Sequence, residues 1–216
     1  MKIRTLLLGL TVIMATTSGY AQTYKEAKKL LETSSQKMKS FDNLYLEFNY
    51  SLKNTAVEPP VTQNEQGNIA IKGNDYHLNF LGTEQIRNGR KLYTILEADE
   101  EVQVTTYDPE EEDQGLTPAR ILNLYQSGYS YKMGETKNLQ ERTIQFVILK
   151  PTASDITEKI EVGIDKETLI VYSLQQWDVN GSVTHFVVTQ AEPNKKFESN
   201  YFQFNRSQYS DYYIAE

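Results

Sequence analysis

Residues 43–53 read NLYLEFNYSLK, with Leu44, Leu46, Phe48, Tyr50 and Leu52 alternating against Tyr45, Glu47, Asn49, Ser51 and Lys53. Successive side chains of a strand point to opposite faces, so this stretch predicts a strand with one apolar and one polar side. The period returns along most of the chain. Ile69 and Ile71 share a face in 68–72, Tyr76, Leu78 and Phe80 face away from His77 and Asn79, and Val102, Val104 and Thr106 alternate with Gln103 and Thr105. Further strands are expected at 91–96, 129–133, 142–150, 158–165, 169–177, 182–190 and 201–204. Asn88-Gly89 and Asn180-Gly181 read as hairpin turns, because glycine tolerates the positive φ such turns require.

Two helices interrupt the strands. Thr23-Tyr24-Lys25-Glu26 reads as a capping box opening a helix to about Lys39, with an apolar stripe of Ala27, Leu30, Leu31, Ser34, Met38 and Phe41. Thr117 as N-cap and Pro118 at the first helical position open a second, short helix over about 118–126. Residues 54–65, with Pro59-Pro60, and the acidic stretch 108–115 read as loops. The pattern predicts a mainly β chain with few helices, its large sheet of about ten to eleven antiparallel strands curved toward a barrel.

The N-terminus reads differently from the rest. Lys2 and Arg4 precede an apolar run from Leu6 to Ala15, and Gly19 and Ala21 stand at the −3 and −1 positions of a cleavage site. This is the pattern of a secretory signal peptide over 1–21, too short for a membrane span, followed by a single domain over 22–216. Without it the chain would carry 20 basic residues against 29 acidic ones, net −9. Such a balance argues against nucleic acid as a partner. With no cysteine, disulfides, thiolate metal sites and a cysteine nucleophile are excluded.

Enzyme constellations are hard to find. His77 and His185, the only histidines, each sit in an alternating strand and read as solvent-facing. No nucleophile elbow, zinc-binding helix, phosphate loop or dinucleotide fingerprint occurs. Glu110, Glu111, Glu112 and Asp113 lack the spacing of a calcium loop and read as a solvated acidic run. No cofactor, metal or catalytic residue is expected, although an acid/base pair among the many carboxylates stays open.

The order and spacing of several segments resemble the periplasmic outer-membrane lipoprotein carriers, the LolA-like family. They are the helix running into FDNLYLEFNY, then GNIAIKGNDYHLNF, IRNGRKLYTI, LTPARILNLY, LKPTASDITEKIEVGIDKETLIVYSL and the closing YFQF. The chain looks most similar to carriers of the Bacteroidetes type. The resemblance implies a half-open barrel lidded by helices, whose cavity holds the acyl chains of a lipoprotein. It implies a lining of Leu46, Phe48, Tyr50, Ile69, Ile71, Tyr76, Leu78, Phe80, Ile95, Val102 and Val104, and a lid carrying Ile121, Leu122, Leu124 and Tyr125. It also implies a periplasmic location, acylated lipoproteins as cargo, an inner-membrane lipoprotein-releasing transporter as donor and an outer-membrane acceptor, with a monomer the simplest state. The alternative it leaves is a lipid- or lipoprotein-sensing module of related fold, of the envelope-stress type, without transfer activity. In one respect the chain departs from the family. Gly73 stands where the resemblance implies a gating arginine; Arg120, within the lid segment, reads as a surface arginine with a gating role as the alternative, and the means of gating stays open.

Overall fold

The computed structural model describes residues 17–106 and 128–215. Among them one α-helix, α1 (Thr17–Lys39), precedes an open sheet of twelve strands. The first run is β1 (Leu44–Asn54), β2 (Val61–Lys72), β3 (Asp75–Phe80), β4 (Thr83–Asn88), β5 (Lys91–Leu96) and β6 (Glu101–Thr106). The second is β7 (Tyr129–Leu139), β8 (Arg142–Pro151), β9 (Thr157–Asp165), β10 (Val171–Asp178) and β11 (Ser182–Pro193), and β12 (Tyr213–Ala215) closes the chain. Each run is an antiparallel meander, and β11 pairs with β1 to join them in the order β12-β6-β5-β4-β3-β2-β1-β11-β10-β9-β8-β7. The short β12 lies parallel to β6.

Helix α1 lies on one face of the sheet, here called the helix face. Ala27, Leu31 and Met38 are buried in one cluster with Leu44, Leu46, Val147, Leu149 and Val162. Ser34 Oγ donates to the Leu169 carbonyl at 2.8 Å, and the Tyr24 and Tyr131 rings meet at 5.5 Å. The opposite face of β3–β6 is crossed by residues 194–215, here called the strap. The strap is pinned where Asn194 N–H donates to the Asn43 carbonyl, where Asn88 Nδ2 donates to the Phe202 carbonyl, and where Tyr213 N–H donates to the Glu100 carbonyl.

Several sequence expectations need correction. Strand β4, TEQIRN, is absent from the sequence reading, since its one apolar residue, Ile86, gives no alternation to read. Strand β2 starts at Val61 rather than at 68, because its polar first half is held by a full register with β1. Residues 201–204 form turns instead of a strand, and the chain's last strand is Tyr213–Ala215. Helix α1 begins at Thr17, so Thr23 and Glu26 lie inside it. A threonine in a helix interior costs below about 0.7 kcal/mol, so a Thr-x-x-Glu pattern does not compel a helix to start. The second helix expected at 118–126 and the acidic run 108–115 fall outside the described residues.

Tight turns decide which way the first meander faces. Gly73-Asn74, Leu81-Gly82 and Gly89-Arg90 are the two-residue links between β2 and β3, β3 and β4, and β4 and β5. Positive φ falls at Gly73 (60°), at Leu81 (57°) with Gly82 (70°), and at Gly89 (60°). The turn after β4 is thus centred one residue later than Asn88-Gly89. Gly73 is accounted for by its turn: an added Cβ there would meet nothing within 4 Å, so the position aims at no part of the sheet interior.

Gly67 is required for a different reason. It pairs with Phe48, and a Cβ at Gly67 would stand 2.5 Å from Phe48 Cζ and 2.9 Å from the Asn79 carbonyl oxygen. Gly67→Ala is expected to lower stability by about 1–3 kcal/mol, the usual cost of overpacking, measured by urea unfolding. Adding Phe48→Leu should restore part of the loss by removing the ring atoms; no restoration would show that the Asn79 carbonyl sets the limit.

Candidate functional site: the helix face and its aromatic end

Directly paired residues of an antiparallel ladder point to one face, so the register can be read across the sheet. One row on the helix face runs Leu46, Ile69, Leu78, Gln85, Thr94, Gln103, and the next runs Leu44, Ile71, Tyr76, Arg87, Leu92, Thr105. Both are apolar through β3 and largely polar from β4 onward. The rows on the strap face do the reverse. One runs Tyr45, Ala70, His77, Ile86, Tyr93, Val104, and the other runs Glu47, Asn68, Asn79, Glu84, Ile95, Val102. The apolar side of the sheet therefore changes face between β3 and β4.

This sorts the residues expected to line a cavity. Leu46, Phe48, Tyr50, Ile69, Ile71, Tyr76, Leu78 and Phe80 share the helix face. Ile95, Val102 and Val104 do not. With Ile86 and Tyr93 they form a separate cluster on the strap face, packed against Phe204, Tyr209, Tyr212 and Ile214. The physical reason is parity: each two-residue turn preserves the pairing, and the odd positions of β5 follow Ile86 away from Leu78. Ile121, Leu122, Leu124 and Tyr125, and Arg120 with them, lie outside the described residues.

The helix face continues across the second meander through Val188, Phe186, Leu174, Val162, Ile160, Val147 and Leu149, all buried. Its end away from α1 is aromatic. Phe48 meets Phe80 at 5.4 Å and Phe186 at 5.6 Å, and Tyr50 meets the same two rings at 5.1 and 5.0 Å. Phe48 and Phe186 are buried, whereas Tyr50 and Phe80 stay half-buried, so the rings grade from core to surface. Burial raises the Tyr50 pKa and keeps the phenol neutral. Tyr131, beneath α1, is pushed up to about 12 by burial first and by the nearby Tyr24, Tyr129 and Glu32. Sequence reasoning missed Arg87, a cation on the helix face directly opposite Tyr76. Parity counted from Phe80 through the Leu81-Gly82 turn would have placed it there.

His77 is not solvent-facing. It sits under the strap with Nδ1 3.0 Å from the Tyr201 carbonyl oxygen and Nε2 2.6 Å from Glu84 Oε1. Its ring lies 4.6 Å from that of Tyr201, and Tyr209 donates its hydroxyl to Glu84 Oε2 at 2.5 Å. A carbonyl oxygen only accepts, so Nδ1 is the donor to Tyr201. The contacts of His77 with Tyr201 and Glu84 fasten the strap to β3 and β4. Hydrogen bonds from His77 and Tyr209 hold the Glu84 pKa below the ordinary carboxylate value, against the opposing effect of burial. The same carboxylate, after burial, drives the Tyr209 pKa up. His185 lies on the strap face of β11 opposite Ser51, and burial lowers its pKa.

Because the folded-state pKa of Glu84 is depressed, its stabilisation is fully present above the unfolded carboxylate value of 4.5 and is lost as pH falls through the folded pKa. Glu84→Gln is expected to cost about 1.5–3 kcal/mol at pH 7, the range for hydrogen bonds to a charged group, and to flatten the loss of stability below about pH 4.5. Urea melts of both proteins from pH 7 to 3 test this. Parallel curves would contradict the role given to Glu84.

Among the described residues no group of three or more His, Asp or Glu side chains is placed to hold a metal ion. Nor, among them, is any helix long and apolar enough to cross a membrane.

No protein-family model matches the sequence, and no curated protein matches it. Solved structures do. An uncharacterised conserved protein from Thermus thermophilus aligns with a TM-score of 0.56 at 9% identity, over 88% of this chain and 98% of that one. The LolA superfamily protein NE2245 from Nitrosomonas europaea aligns at 0.43 and 10% identity, over 82% and 97%. The chain shares its overall fold with the Thermus thermophilus protein. MucB of the Pseudomonas aeruginosa MucA/MucB complex aligns at 0.39 and 11% identity, over 83% of this chain and 61% of that one. At 9% identity the likeness to the Thermus thermophilus protein is one of fold alone.

Proposed function

We propose that this protein binds the acyl chains of lipoproteins on its helix face and carries them across the periplasm toward the outer membrane, without making or breaking a bond. The observation that carries the reading is the apolar helix face of β1–β3 and β8–β11, ending in half-buried Tyr50 and Phe80 beside the polar tracts of β4–β6. An alkyl chain entering at the aromatic end would meet Phe48, Phe186, Leu46, Ile69 and Leu78 in turn. Each buried methylene contributes about 0.8 kcal/mol, so two or three acyl chains in water cost on the order of tens of kcal/mol, which is why such cargo needs a protein shield.

Export would remove residues 1–21. Cleavage after Ala21 would cut inside α1 and leave Thr23, with Glu26 three residues on, as a new helix start with its own capping box. N-terminal sequencing of the exported product checks this.

The binding experiment uses an environment-sensitive hydrophobic dye. A diacylated peptide should displace the dye in a saturable manner, and the same peptide without acyl chains should not. Loaded protein mixed with acceptor vesicles then separates carriage from sensing: a carrier releases the acylated peptide to the vesicles, whereas a sensing module of related fold retains it. Equal displacement by the acylated and unacylated peptides would remove the reading altogether.

A further inference from the structure

We propose a second binding site, for an extended basic peptide segment, along the free backbone edge of Val61–Gly67. Strand β2 pairs with β1 over its whole length, but with β3 only from Asn68 to Lys72. Strand β3 ends at Phe80, where the chain turns away through Leu81-Gly82. Among the described residues, the lane beside Val61–Gly67 is therefore vacant. Alternate residues of that edge turn N–H and C=O groups into it, an array that an added strand satisfies.

The vacated lane is a groove. An open cavity of about 560 Å³ lies against Glu65, Gln66, Gly67 and Asn68, bordered by the Leu81-Gly82 turn. A neighbouring groove shares Asn49, Glu65 and Gln66 with it and extends along Ser51 and Asn64. Seven residues of strand span roughly 23 Å at about 3.3 Å each, room for a segment of about six residues.

Charge selects the occupant. The first groove is lined by Glu47, Glu65 and Glu97 and by no lysine or arginine. In the second the one basic side chain is His185, whose pKa is lowered by burial. Complementarity favours lysine or arginine at the positions of a peptide that face these carboxylates, and repels acidic segments. The site depends on backbone pairing rather than on hydrocarbon burial, although it adjoins the aromatic end of the helix face: Glu65 stands opposite Tyr50, and the grooves also touch Phe48, Phe80 and Tyr50.

The test uses the full chain and labelled hexapeptides in fluorescence anisotropy at low salt. A blocked Lys-Val-Lys-Val-Lys-Val peptide is expected to bind at least about tenfold tighter than its Glu-Val counterpart. Methylating the peptide nitrogens at odd or at even positions keeps the charge but blocks one edge of the peptide. Binding should fall about tenfold or more in one methylation register only. Glu65→Lys and Glu97→Lys, both at exposed positions, should each weaken binding, and hydrogen exchange at Val61–Gly67 should slow on binding. Equal binding of both methylated peptides overturns the proposal. So does the absence of saturable peptide binding, or occupation of the groove by a neutral oligosaccharide that the basic peptide does not displace.

Discussion

Leu31→Ala is expected to lower the unfolding free energy by about 2–5 kcal/mol, the range for truncating a buried leucine and leaving a partly relaxed cavity. Leu31 is 1% exposed, with Ala27 and Met38 on the same stripe by which α1 grips the sheet. The Ser34–Leu169 hydrogen bond fixes the helix beside it, so the site cannot collapse freely to fill the void. Lys29→Ala, on the exposed side of α1, should change stability by less than about 0.5 kcal/mol. Paired urea melts check both. A loss below about 1 kcal/mol for Leu31→Ala would mean that α1 is not seated on the helix face.

Phe80→Ala is expected to weaken acyl-chain binding by about ten- to a hundredfold. Phe80 touches Phe48, Tyr50 and Phe186 and stays half-buried, so its ring is free to lie against a bound chain at the aromatic end. Burying a phenylalanine-sized side chain is worth about 1.5–3 kcal/mol, and 1.4 kcal/mol is tenfold in affinity. Val104→Ala, on the opposite face, should leave acyl binding unchanged while loosening the strap. Dye displacement with both variants decides the matter. Equal losses at 80 and 104 would mean that the two faces do not divide as the register implies.

Much of this architecture is legible in the residues. Alternation at 44–52, 69–71 and 76–80 identifies the strands and their apolar side, and those residues share one face in the fold. The misplacement of Ile95, Val102 and Val104 has a specific origin. Each of their strands is apolar on one side, and alternation within a strand does not say which face of the sheet that side joins. The turns say so: once Leu81-Gly82 and Gly89-Arg90 are recognised as two-residue links, parity carries Ile86, Tyr93 and Ile95 to the face opposite Leu78. Strand β4 is hidden because Gln85 and Arg87 on one side and Glu84 on the other leave only Ile86 to mark it. The strap is illegible for another reason. Tyr201, Phe202 and Phe204 carry aromatic density without a period, and their partners His77 and Asn88 are more than a hundred residues away. A long-range contact of this kind leaves no trace in local pattern, so His77 reads as exposed until the strap is laid over it.

The absence of cysteine allows a direct test of which face receives hydrocarbon. Single substitutions Phe80→Cys and Val104→Cys, each labelled with a small fluorophore, are to be titrated with an acylated peptide whose fatty chains carry a short-range quencher. Quenching at position 80 with little change at 104 is the predicted result. Equal quenching at both positions, or quenching at 104 alone, would contradict the assignment of the helix face as the acyl-binding surface.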